Sequence, residues 1–463
     1  MVEINKNIFK SYDIRGIYPS ELSEEVAFAI GKAFVRQTGI KKIAVGQDAR
    51  IASPVLFRGL ARGVAAQGGQ IYDIGQVLTE CLYFTIGSRD FKAGVMITAS
   101  HNPKEYGGFK MVKKDDNYIK IIAGKDLLDQ VVKDNSENVD PADDKILEVA
   151  EEKIIKEDIW HDYINHVLSF VDLSEISPLK IVIDASNGVG GIVLEKIKEK
   201  LPVEIISLNF EPNGNFPNHS PNPIAEGSTD QIKNEIIKQK ADFGFLFDGD
   251  ADRVFLVDET GKLVSSDATI LILAKYFLQK NPGMGVVSHA TCSKAIPEFV
   301  KKWGGKHIKT QVGFIHIQQG LEENNGIMGG ELTGHYSFKD NFYCDSGVIA
   351  FLTLLQIISR DGRKISEIAK EFSPYYKPQE INFKVEDKNT IIEKIKEKYT
   401  DPSTPLGAGG KADFLDGITV TYKDWWFNVR ASNTEPVLRL TIEADTKELY
   451  DEKQKELTKV ISS

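Results

Sequence analysis

One unit recurs three times along this chain: a short apolar run, a polar turn and an amphipathic stretch. IAVGQDAR leads to SPVLFRGLARGVAAQG, IVIDASNGVGG leads to IVLEKIKEK, and VVSHATCS leads to KAIPEFVKKWG. Runs this short and rich in Val and Ile, each followed by a helical pattern, are typical of buried strands in α/β layers. The repeat therefore predicts three similar α/β domains in tandem.

Breaks in this pattern indicate where the domains end. Residues 133–158 are highly charged and predict a linker that runs into a surface helix, DETGK (258–262) predicts a turn, and FSPYYKPQE (372–380) interrupts the repeat. A chain of 463 residues has room for about three or four domains. We predict α/β domains with mixed sheets at 1–152, 153–257 and 258–372, and a smaller α+β domain at 373–463.

Charge and cysteine content exclude several classes of protein. The net charge of −10, from 57 Lys and Arg against 67 Asp and Glu, argues against a broad nucleic-acid surface. Cys81, Cys292 and Cys344 have no CxxC spacing, which favours reduced thiols in a cytoplasm over disulfides or zinc. The N-terminus lacks the apolar core of a signal peptide, and no run approaches 18 apolar residues. We expect a cytoplasmic protein that binds neither nucleic acid nor membrane.

The segment TASHNP (98–103) follows the apolar run AGVMI. A turn after a buried strand places Ser100 at the carboxyl edge of a sheet, where ligands bind in α/β folds, and we expect its hydroxyl to be exposed. A serine needs activation to act as a nucleophile or carry phosphate. The adjacent His101 need not supply it, because neighbouring side chains usually diverge. For this hexapeptide alone, a plain turn is the stronger interpretation.

Three alternating aspartates, Asp248, Asp250 and Asp252, stand in FDGDADR. Alternate residues of an extended or looped chain can point one way, so these carboxylates can converge on a hard cation. An EF-hand is rejected, because Arg253 stands at the sixth position, where glycine is needed, and the flanking runs resemble strands. A solvated acidic turn remains as the alternative.

Two later loops carry polar groups between glycines or beside an arginine. GGELTGHYSF (329–338) brings together Glu331, Thr333 and His335, a set that suits a polyhydroxylated ligand, although a polar turn is the likelier alternative. In RASNTEP (430–436), Arg430 offers a bidentate fork, and the residues after it offer an anion nest. A helix N-terminal cap explains the second loop equally well.

In this order and at these distances, the four loops resemble those of the α-D-phosphohexomutases, the family of phosphomannomutases and phosphoglucomutases. TASHNP resembles the family's phosphoserine loop, DGDADR its magnesium loop, GELTGH its sugar-binding loop and RASNTEP its phosphate-binding loop. FKSYDIRG (9–16) and GNFPNHSPNP (214–223) also match family segments. The resemblance covers nearly the whole chain.

The resemblance implies a role for each loop. Ser100 carries a phosphoryl group and, with the three aspartates, holds Mg²⁺, while Glu331 binds the sugar hydroxyls at C3 and C4. The implied catalytic residues are Ser100, His101, Lys110, Arg15, Arg253 and His335. The implied substrate-binding residues are Tyr12, Glu331, Thr333, His335, Arg430, Ser432, Asn433 and Thr434.

Two positions depart from the family pattern. Thr333 replaces the usual serine but keeps the hydroxyl. Phe314 stands where the mannose/glucose branch often has a histidine, so we do not assign it as a polar ligand. The run DNFYCDSG (340–347) resembles phosphomannomutase relatives.

The implied reaction interconverts hexose 1-phosphate and hexose 6-phosphate, of mannose or glucose, through a phosphoserine and a hexose 1,6-bisphosphate. Mg²⁺ would be the cofactor and the bisphosphate an activator, and we expect a monomer or weak dimer. Three alternatives stay open. One is a phosphoglucosamine or N-acetylglucosamine-phosphate mutase, another is a metal-dependent sugar phosphatase, and the third is a non-catalytic protein that binds sugar phosphates.

Overall fold

A computed structural model describes residues 2–116, 118–135, 152–385, 387–401, 403, 409–432 and 437–462. The chain divides into two compact units. The first unit comprises Met1–Val264 and Thr333–Ser366, and the second comprises Ser265–Leu332 and Glu367–Ser463. Among the described residues, no helix is both long enough and apolar enough to cross a bilayer.

The first domain contains a mixed sheet with the strand order β1-β5-β4-β2-β3-β7, in which β6 pairs with the second half of β5 on the edge opposite β4. The strands are β1 (Ile14–Ile17), β2 (Lys42–Gln47), β3 (Gln70–Gln76), β4 (Ala93–Ile97), β5 (Tyr106–Asp115), β6 (Tyr118–Ile122) and β7 (Ile154–Lys156). The helices are α1 (Glu24–Thr38), α2 (Ser53–Ala66), α3 (Thr79–Ser88) and α4 (Gly124–Asn135). Strands β2, β3 and β4 run parallel, whereas β5 is antiparallel to β4.

Strand β7 corrects part of the sequence prediction. The linker and surface helix expected at 133–158 include Ile154–Lys156, which instead pairs in parallel with β3. An edge strand of three residues pairs through its backbone on one side only and needs no apolar run. A strand of this kind within a charged segment therefore cannot be recognised from composition. Residues 136–151 of the predicted linker lie outside the described residues.

The second domain contains the strand order β11-β10-β8-β9, with β11 antiparallel and the others parallel. Its elements are α5 (Trp160–Leu168), β8 (Lys180–Asp184), α6 (Gly190–Ile197), β9 (Glu204–Leu208), α7 (Asp230–Gln239), β10 (Phe243–Phe247) and β11 (Val254–Val257). Both segments that flank the aspartate loop are strands, which agrees with the rejection of an EF-hand.

The second unit contains parallel strands of the third domain and the C-terminal sheet. The third-domain elements there are α8 (Ser266–Lys280), β12 (Gly285–His289), α9 (Ala295–Lys302), β13 (Lys306–Thr310), α10 (Phe314–Asn324) and β14 (Gly326–Gly330). The elements that follow along the chain are β15 (Tyr336–Phe338), α11 (Gly347–Asp361) and α12 (Ile365–Glu371).

The C-terminal domain is an antiparallel sheet with the order β16-β20-β19-β18-β17. Its elements are β16 (Ile381–Lys384), α13 (Lys388–Thr400), β17 (Lys411–Asp413), β18 (Ile418–Thr421), β19 (Trp425–Ala431), β20 (Val437–Ala444) and α14 (Lys447–Ile461). One apolar core joins this sheet to both helices. The predicted fold class is thus confirmed, while the exact domain boundaries stay a prediction.

Candidate active site

The serine loop begins where β4, whose five residues are all buried, ends at Ile97. Ser100 has a left-handed backbone (φ 51°), and its N–H donates to Thr98 Oγ1 over 2.8 Å. Only 1% of Ser100 is exposed. The expectation of an exposed hydroxyl is therefore wrong, because the aspartate loop packs against this turn and brings Asp248 Oδ2 to 3.4 Å from Ser100 Oγ.

The side chains of Ser100 and His101 do not diverge as expected. Ser100 Oγ lies 3.2 Å from His101 Nδ1, which the left-handed backbone of Ser100 allows. Burial lowers the pKa of His101 well below its ordinary value, and the charges of Arg253 and Arg15 lower it further. His101 is thus a neutral imidazole beside the hydroxyl.

The three aspartates converge after β10. One carboxylate oxygen from each of Asp248, Asp250 and Asp252 lies within 4.8 Å of the others. The exposed fractions are 0%, 0% and 1%, so a solvated acidic turn is ruled out. Burial and the charges of Asp252 and Asp250 raise the pKa of Asp248 well above its ordinary value. Asp250 Oδ1 is buried without a hydrogen-bond partner among the described residues. A hard cation would relieve this charge and fill that position.

Lys110 approaches the cluster from β5. Its Nζ donates to Asp250 Oδ2 over 2.7 Å and also contacts Asp252 Oδ2. Burial lowers the pKa of Lys110, but Asp250 and Asp252 outweigh burial, and the net pKa is raised. Proton transfer by a lysine favours a lowered pKa, which is not found here because two carboxylates stabilise the ammonium.

Arg15 connects β1 to the serine loop. Its Nη1 donates to Asn102 Oδ1 over 2.6 Å and to Ala99 O over 3.3 Å, while Nε donates to Asp13 Oδ2 over 2.8 Å. A cation predicted from FKSYDIRG therefore lies at the turn that carries Ser100.

Arg253 and His335 form a second contact with the aspartates. Arg253 Nε donates to His335 Nε2 over 3.1 Å and lies 3.6 Å from Asp248 Oδ2. His335 Nε2 is also 3.3 Å from Asp252 Oδ1, and His335 Nδ1 is 3.2 Å from Thr333 Oγ1. The tautomer that satisfies the Arg253 bond carries its proton on Nδ1. Tyr12, the remaining predicted residue of this unit, is half-buried.

Sequence reasoning missed Thr79, the first residue of α3. Its Oγ1 donates to Asp250 Oδ2 over 2.5 Å, and its N–H donates to Asp250 O over 3.2 Å. Thr98 Oγ1 donates to the same Asp250 Oδ2 over 3.2 Å. The two side-chain bonds join residues that are 171 and 152 positions apart in the chain. Because only the strand order brings these residues together, no local motif predicts the bonds.

The second unit holds the rest of the predicted site. Arg430, which is 4% exposed, donates from Nη2 to Glu380 Oε1 over 3.1 Å. Burial raises the pKa of Glu380, but Arg430 and Arg439 lower it, and the net pKa is below its ordinary value. Arg430 lies in β19 rather than before a helix, so the capping interpretation is wrong.

Ser432 and Glu331, two further residues predicted to bind the substrate, are also buried. Ser432, 8% exposed, donates its N–H to Val437 O over 2.9 Å, while Asn433 and Thr434 lie outside the described residues. Glu331 is 4% exposed, and the N–H of the next residue, Leu332, donates to His289 Nε2 over 3.2 Å. The roles predicted for these residues stay predictions.

Four consecutive stretches of the chain match the domains of one family. Residues 6–136, 161–261 and 265–376 match the descriptions "Phosphoglucomutase/phosphomannomutase, alpha/beta/alpha" domains I, II and III, and residues 380–460 match the C-terminal domain. The chain therefore belongs to the phosphoglucomutase/phosphomannomutase family and is an enzyme, a mutase of the isomerase class. The resemblance inferred from the four loops is confirmed.

Individual relatives agree with this assignment. A phosphomannomutase of Methanocaldococcus jannaschii is 36% identical over 462 residues, which cover 98% of this chain and 97% of the relative. A protein of Xanthomonas campestris pv. campestris described as "Phosphohexose mutases" is 35% identical over 94% of both chains. A crystal structure of a phosphoglucomutase/phosphomannomutase family protein from Burkholderia thailandensis has a TM-score of 0.86 and 28% identity, covering 99% of this chain and 98% of its own.

Proposed function

We propose that this enzyme interconverts the 1-phosphate and 6-phosphate of mannose, glucose or both, with Ser100 as the phosphoryl carrier and a hexose 1,6-bisphosphate as the intermediate and activator. One observation supports the proposal above all others. A buried serine hydroxyl lies 3.4 Å from Asp248 in a cluster of three buried carboxylates that also binds Lys110. That combination suits the transfer of a phosphoryl group, which depends on positioning and charge neutralisation.

Two transfers make up the proposed cycle. The Oγ–P bond of phosphorylated Ser100 breaks as a bond forms from phosphorus to a free hydroxyl of the hexose phosphate. The hydroxyl proton passes to a base, and the bisphosphate then returns its other phosphoryl group to Ser100 Oγ. Lys110 and His335 are the proposed proton donor and acceptor.

Asp248, Asp250 and Asp252, together with a phosphate oxygen on Ser100, would hold Mg²⁺. Oxygen ligands from carboxylates suit this cation, and the unpartnered Asp250 Oδ1 leaves a position for it. When bound, the ion offsets negative charge on the transferring group. Lys110, Arg15 and Arg253 supply further positive charge from the chain itself.

The substrate contacts that we propose for the second unit follow the family loops. Glu331 would accept from the hydroxyls at C3 and C4, and Arg430 would bind the phosphate that is not reacting. Tyr12, Thr333, Ser432, Asn433 and Thr434 complete the proposed substrate-binding set. A monomer or weak dimer in a cytoplasm remains our proposal, and the three buried cysteines, which form no disulfide, support a reducing compartment.

One assay separates this function from its rivals. The protein is incubated with mannose 1-phosphate and Mg²⁺, with a catalytic amount of hexose 1,6-bisphosphate. Mannose 6-phosphate is the expected product. Stoichiometric free phosphate would identify a phosphatase instead. Unchanged substrate would favour a phosphoglucosamine or N-acetylglucosamine-phosphate mutase, which the same assay with the amino-sugar 1-phosphates then detects.

A further inference from the structure

Arg50 is an arginine with no place in the proposed chemistry. It lies in the GQDAR turn between β2 and α2, and it is only 1% exposed. Arginine is almost never fully buried unless its donors are satisfied. The partners of its guanidinium group therefore explain why it is there.

Four of those partners are carbonyl oxygens of one short segment. Arg50 Nη2 donates to Ser100 O over 2.6 Å and to Asn102 O over 2.5 Å. Nη1 donates to Pro103 O over 2.7 Å and to Tyr106 O over 3.2 Å. A single planar group thus holds the backbone of the serine loop, including the carbonyl of Ser100 itself.

Asp48 neutralises this guanidinium from the opposite side. Asp48 Oδ2 lies 3.1 Å from Arg50 Nε, which makes no hydrogen bond among the described residues. Asp48 Oδ1 accepts from the Arg50 N–H over 2.9 Å and from Ser53 Oγ over 2.6 Å, so it also holds the turn that carries Arg50. The four carbonyls set the plane of the guanidinium, and a rigid fork that bonds them from one plane is specific to arginine.

The segment GNFP (214–217) packs against the guanidinium of Arg50 from a third direction. The ring centroid of Phe216 lies 5.1 Å from Arg50 Cζ, within the range of a cation–π contact. Gly214 packs on the Arg50 turn so closely that a Cβ there would lie 2.5 Å from Ala49 O. The close approach of this motif to Arg50 therefore requires glycine.

The same region reaches the aspartate loop. A Cβ on Gly249, between Asp248 and Asp250, would lie 2.9 Å from Ser100 O and 3.2 Å from Pro221 Cβ. Ser100 O is thus both an acceptor for Arg50 and a contact of the aspartate loop. Displacing this carbonyl would change the distance between Ser100 Oγ and the carboxylates.

We infer that Arg50 is a positioning residue for phosphoryl transfer: it fixes the backbone of residues 100–106 so that Ser100 Oγ stays against the aspartate cluster, and the GNFP segment holds its guanidinium in place. The inference rests on the proposed function, because it assumes that Ser100 is the phosphoryl carrier. Arg50 touches no reacting atom, so it acts only through the loop.

Arg50→Lys is the test, since lysine keeps the charge but cannot bond four carbonyls from one plane. Arg62→Lys is the matched control. Arg62 lies in α2, pairs with Glu24 Oε1 over 2.7 Å, and has a side chain that is 13% exposed. Both variants are checked for folding by circular dichroism and thermal unfolding. kcat, KM and the rate of Ser100 phosphorylation by hexose 1,6-bisphosphate are then measured for each.

A misplacement of about 1 Å can cost ~100-fold in rate, so we expect kcat and the phosphorylation rate of Arg50→Lys to fall by about that factor. KM for the hexose phosphate and the Mg²⁺ midpoint should stay within about threefold, because positioning acts on the transition state. A folded Arg50→Lys with the kcat of Arg62→Lys would overturn the inference. The inference would also be overturned if the loss of kcat in Arg50→Lys were no larger than the fraction of that protein that is unfolded.

If Arg50→Lys does not fold, Phe216→Leu takes its place, with Phe210→Leu as its control, since both phenylalanines are 9% exposed. Phe216→Leu should lose about fivefold in kcat at constant KM, the scale of one cation–π contact of roughly 1 kcal/mol. A kcat equal to that of Phe210→Leu would contradict the inference. Ser100→Ala separates failure of the proposed function from failure of the role of Arg50. If Ser100→Ala still turns over substrate, the phosphoserine function itself is wrong. If Ser100→Ala is inactive and Arg50→Lys is fully active, only the role of Arg50 is wrong.

Discussion

The serine–aspartate region of the first unit and the Arg430 strand of the second unit place their charges differently. In the first, three buried carboxylates meet Arg253, which directly follows them in the chain, and Lys110 and His335, which come from distant parts of it. In the second, Glu380 is the one carboxylate that the described residues place on Arg430, and it lies 3.7 Å from Arg439 Nη1 as well. The first region is fixed by many partners, whereas in the second we propose that an incoming phosphate replaces Glu380.

This comparison makes a kinetic prediction for the two regions. Changes in the serine–aspartate region should lower kcat, because they remove interactions made in the transition state. Changes around Arg430 should mainly raise KM, because a phosphate that does not react is bound equally throughout. The following predictions test that division.

The largest effect is expected from Ser100→Ala, which should reduce kcat to no more than a few per cent of the wild-type value. The side chain is small and its loss should leave the fold intact. Ser186→Ala is the control, since Ser186 is equally buried and follows β8 with φ 53°, as Ser100 follows β4 with φ 51°. Steady-state kinetics and thermal unfolding of both variants provide the measurement. Substantial turnover by Ser100→Ala would rule out the phosphoserine.

Removal of Mg²⁺ by excess EDTA should stop turnover, and Asp250→Asn should weaken metal binding. An amide in place of the carboxylate removes one charge from a site for a hard cation. The control is Asp258→Asn, because Asp258 accepts hydrogen bonds in the turn beyond β11 and an amide oxygen can still accept them. Activity is titrated against Mg²⁺ for each protein. Full activity in EDTA would show that the aspartates do not hold a required metal.

Arg430→Ala should lower kcat/KM for hexose 1-phosphates, mainly through KM. Loss of one charged hydrogen bond costs about 1.5–3 kcal/mol, or roughly 10- to 150-fold. Arg439→Ala, which removes the other arginine near Glu380, should have a smaller effect. An effect on kcat alone would break the division between the two regions, and an unchanged kcat/KM would exclude Arg430 as the phosphate ligand.

The sugar should be distinguished weakly at C2. Glu331 is proposed to contact hydroxyls that mannose and glucose share, and Phe314 offers no hydrogen bond that reads the epimer. We expect kcat/KM for the two 1-phosphates to differ by less than about 100-fold, the scale of a single modest contact. N-acetylglucosamine 1-phosphate should be a poorer substrate. A larger preference between the epimers, or the acetylated sugar as best substrate, would refute this expectation.

The smallest effect concerns the stability of the second domain rather than its chemistry. Burial lowers the pKa of His219, but its hydrogen bond to Asp184 raises it, and the net pKa is above its ordinary value. The resulting stabilisation is fully present below about pH 6.5 and is lost as pH rises through the folded-state pKa. His219→Gln should therefore lose more stability at pH 6 than at pH 8.5, by about the ~1 kcal/mol of one hydrogen bond. Denaturant unfolding at both pH values measures the difference, and an equal loss at both would contradict the prediction.

Local patterns place the serine and aspartate loops at the ends of strands but do not by themselves favour a catalytic role for the serine loop over a plain turn. AGVMI and FGFLF are apolar runs that form fully buried strands. The polar residues that follow each run therefore lie at the carboxyl end of a strand. The catalytic roles expected for Lys110, Arg253 and His335 rest on the family resemblance alone. Burial of Ser100 was not predicted, because it depends on packing by a loop about 150 residues away.

Other parts of the site could not be read from the sequence. Thr79 and Arg50 bond to the aspartate and serine loops through contacts between elements that are distant in the chain. Strand β7 could not be predicted from its charged segment, because it joins the sheet only through backbone pairing with β3. In each case the missing information was strand order, which periodicity does not contain.

Transfer of phosphate through Ser100 is the central claim, and one chase experiment tests it directly. The protein is incubated with hexose 1,6-bisphosphate and Mg²⁺ and freed of small molecules. It is then mixed with glucose 1-phosphate and fresh Mg²⁺ while the phosphate on each peptide is followed by mass spectrometry. We predict that phosphate appears on Ser100 and leaves it at least as fast as turnover, with hexose 1,6-bisphosphate as the product. Phosphate on another residue, or its release from Ser100 as inorganic phosphate at the turnover rate, would contradict the account.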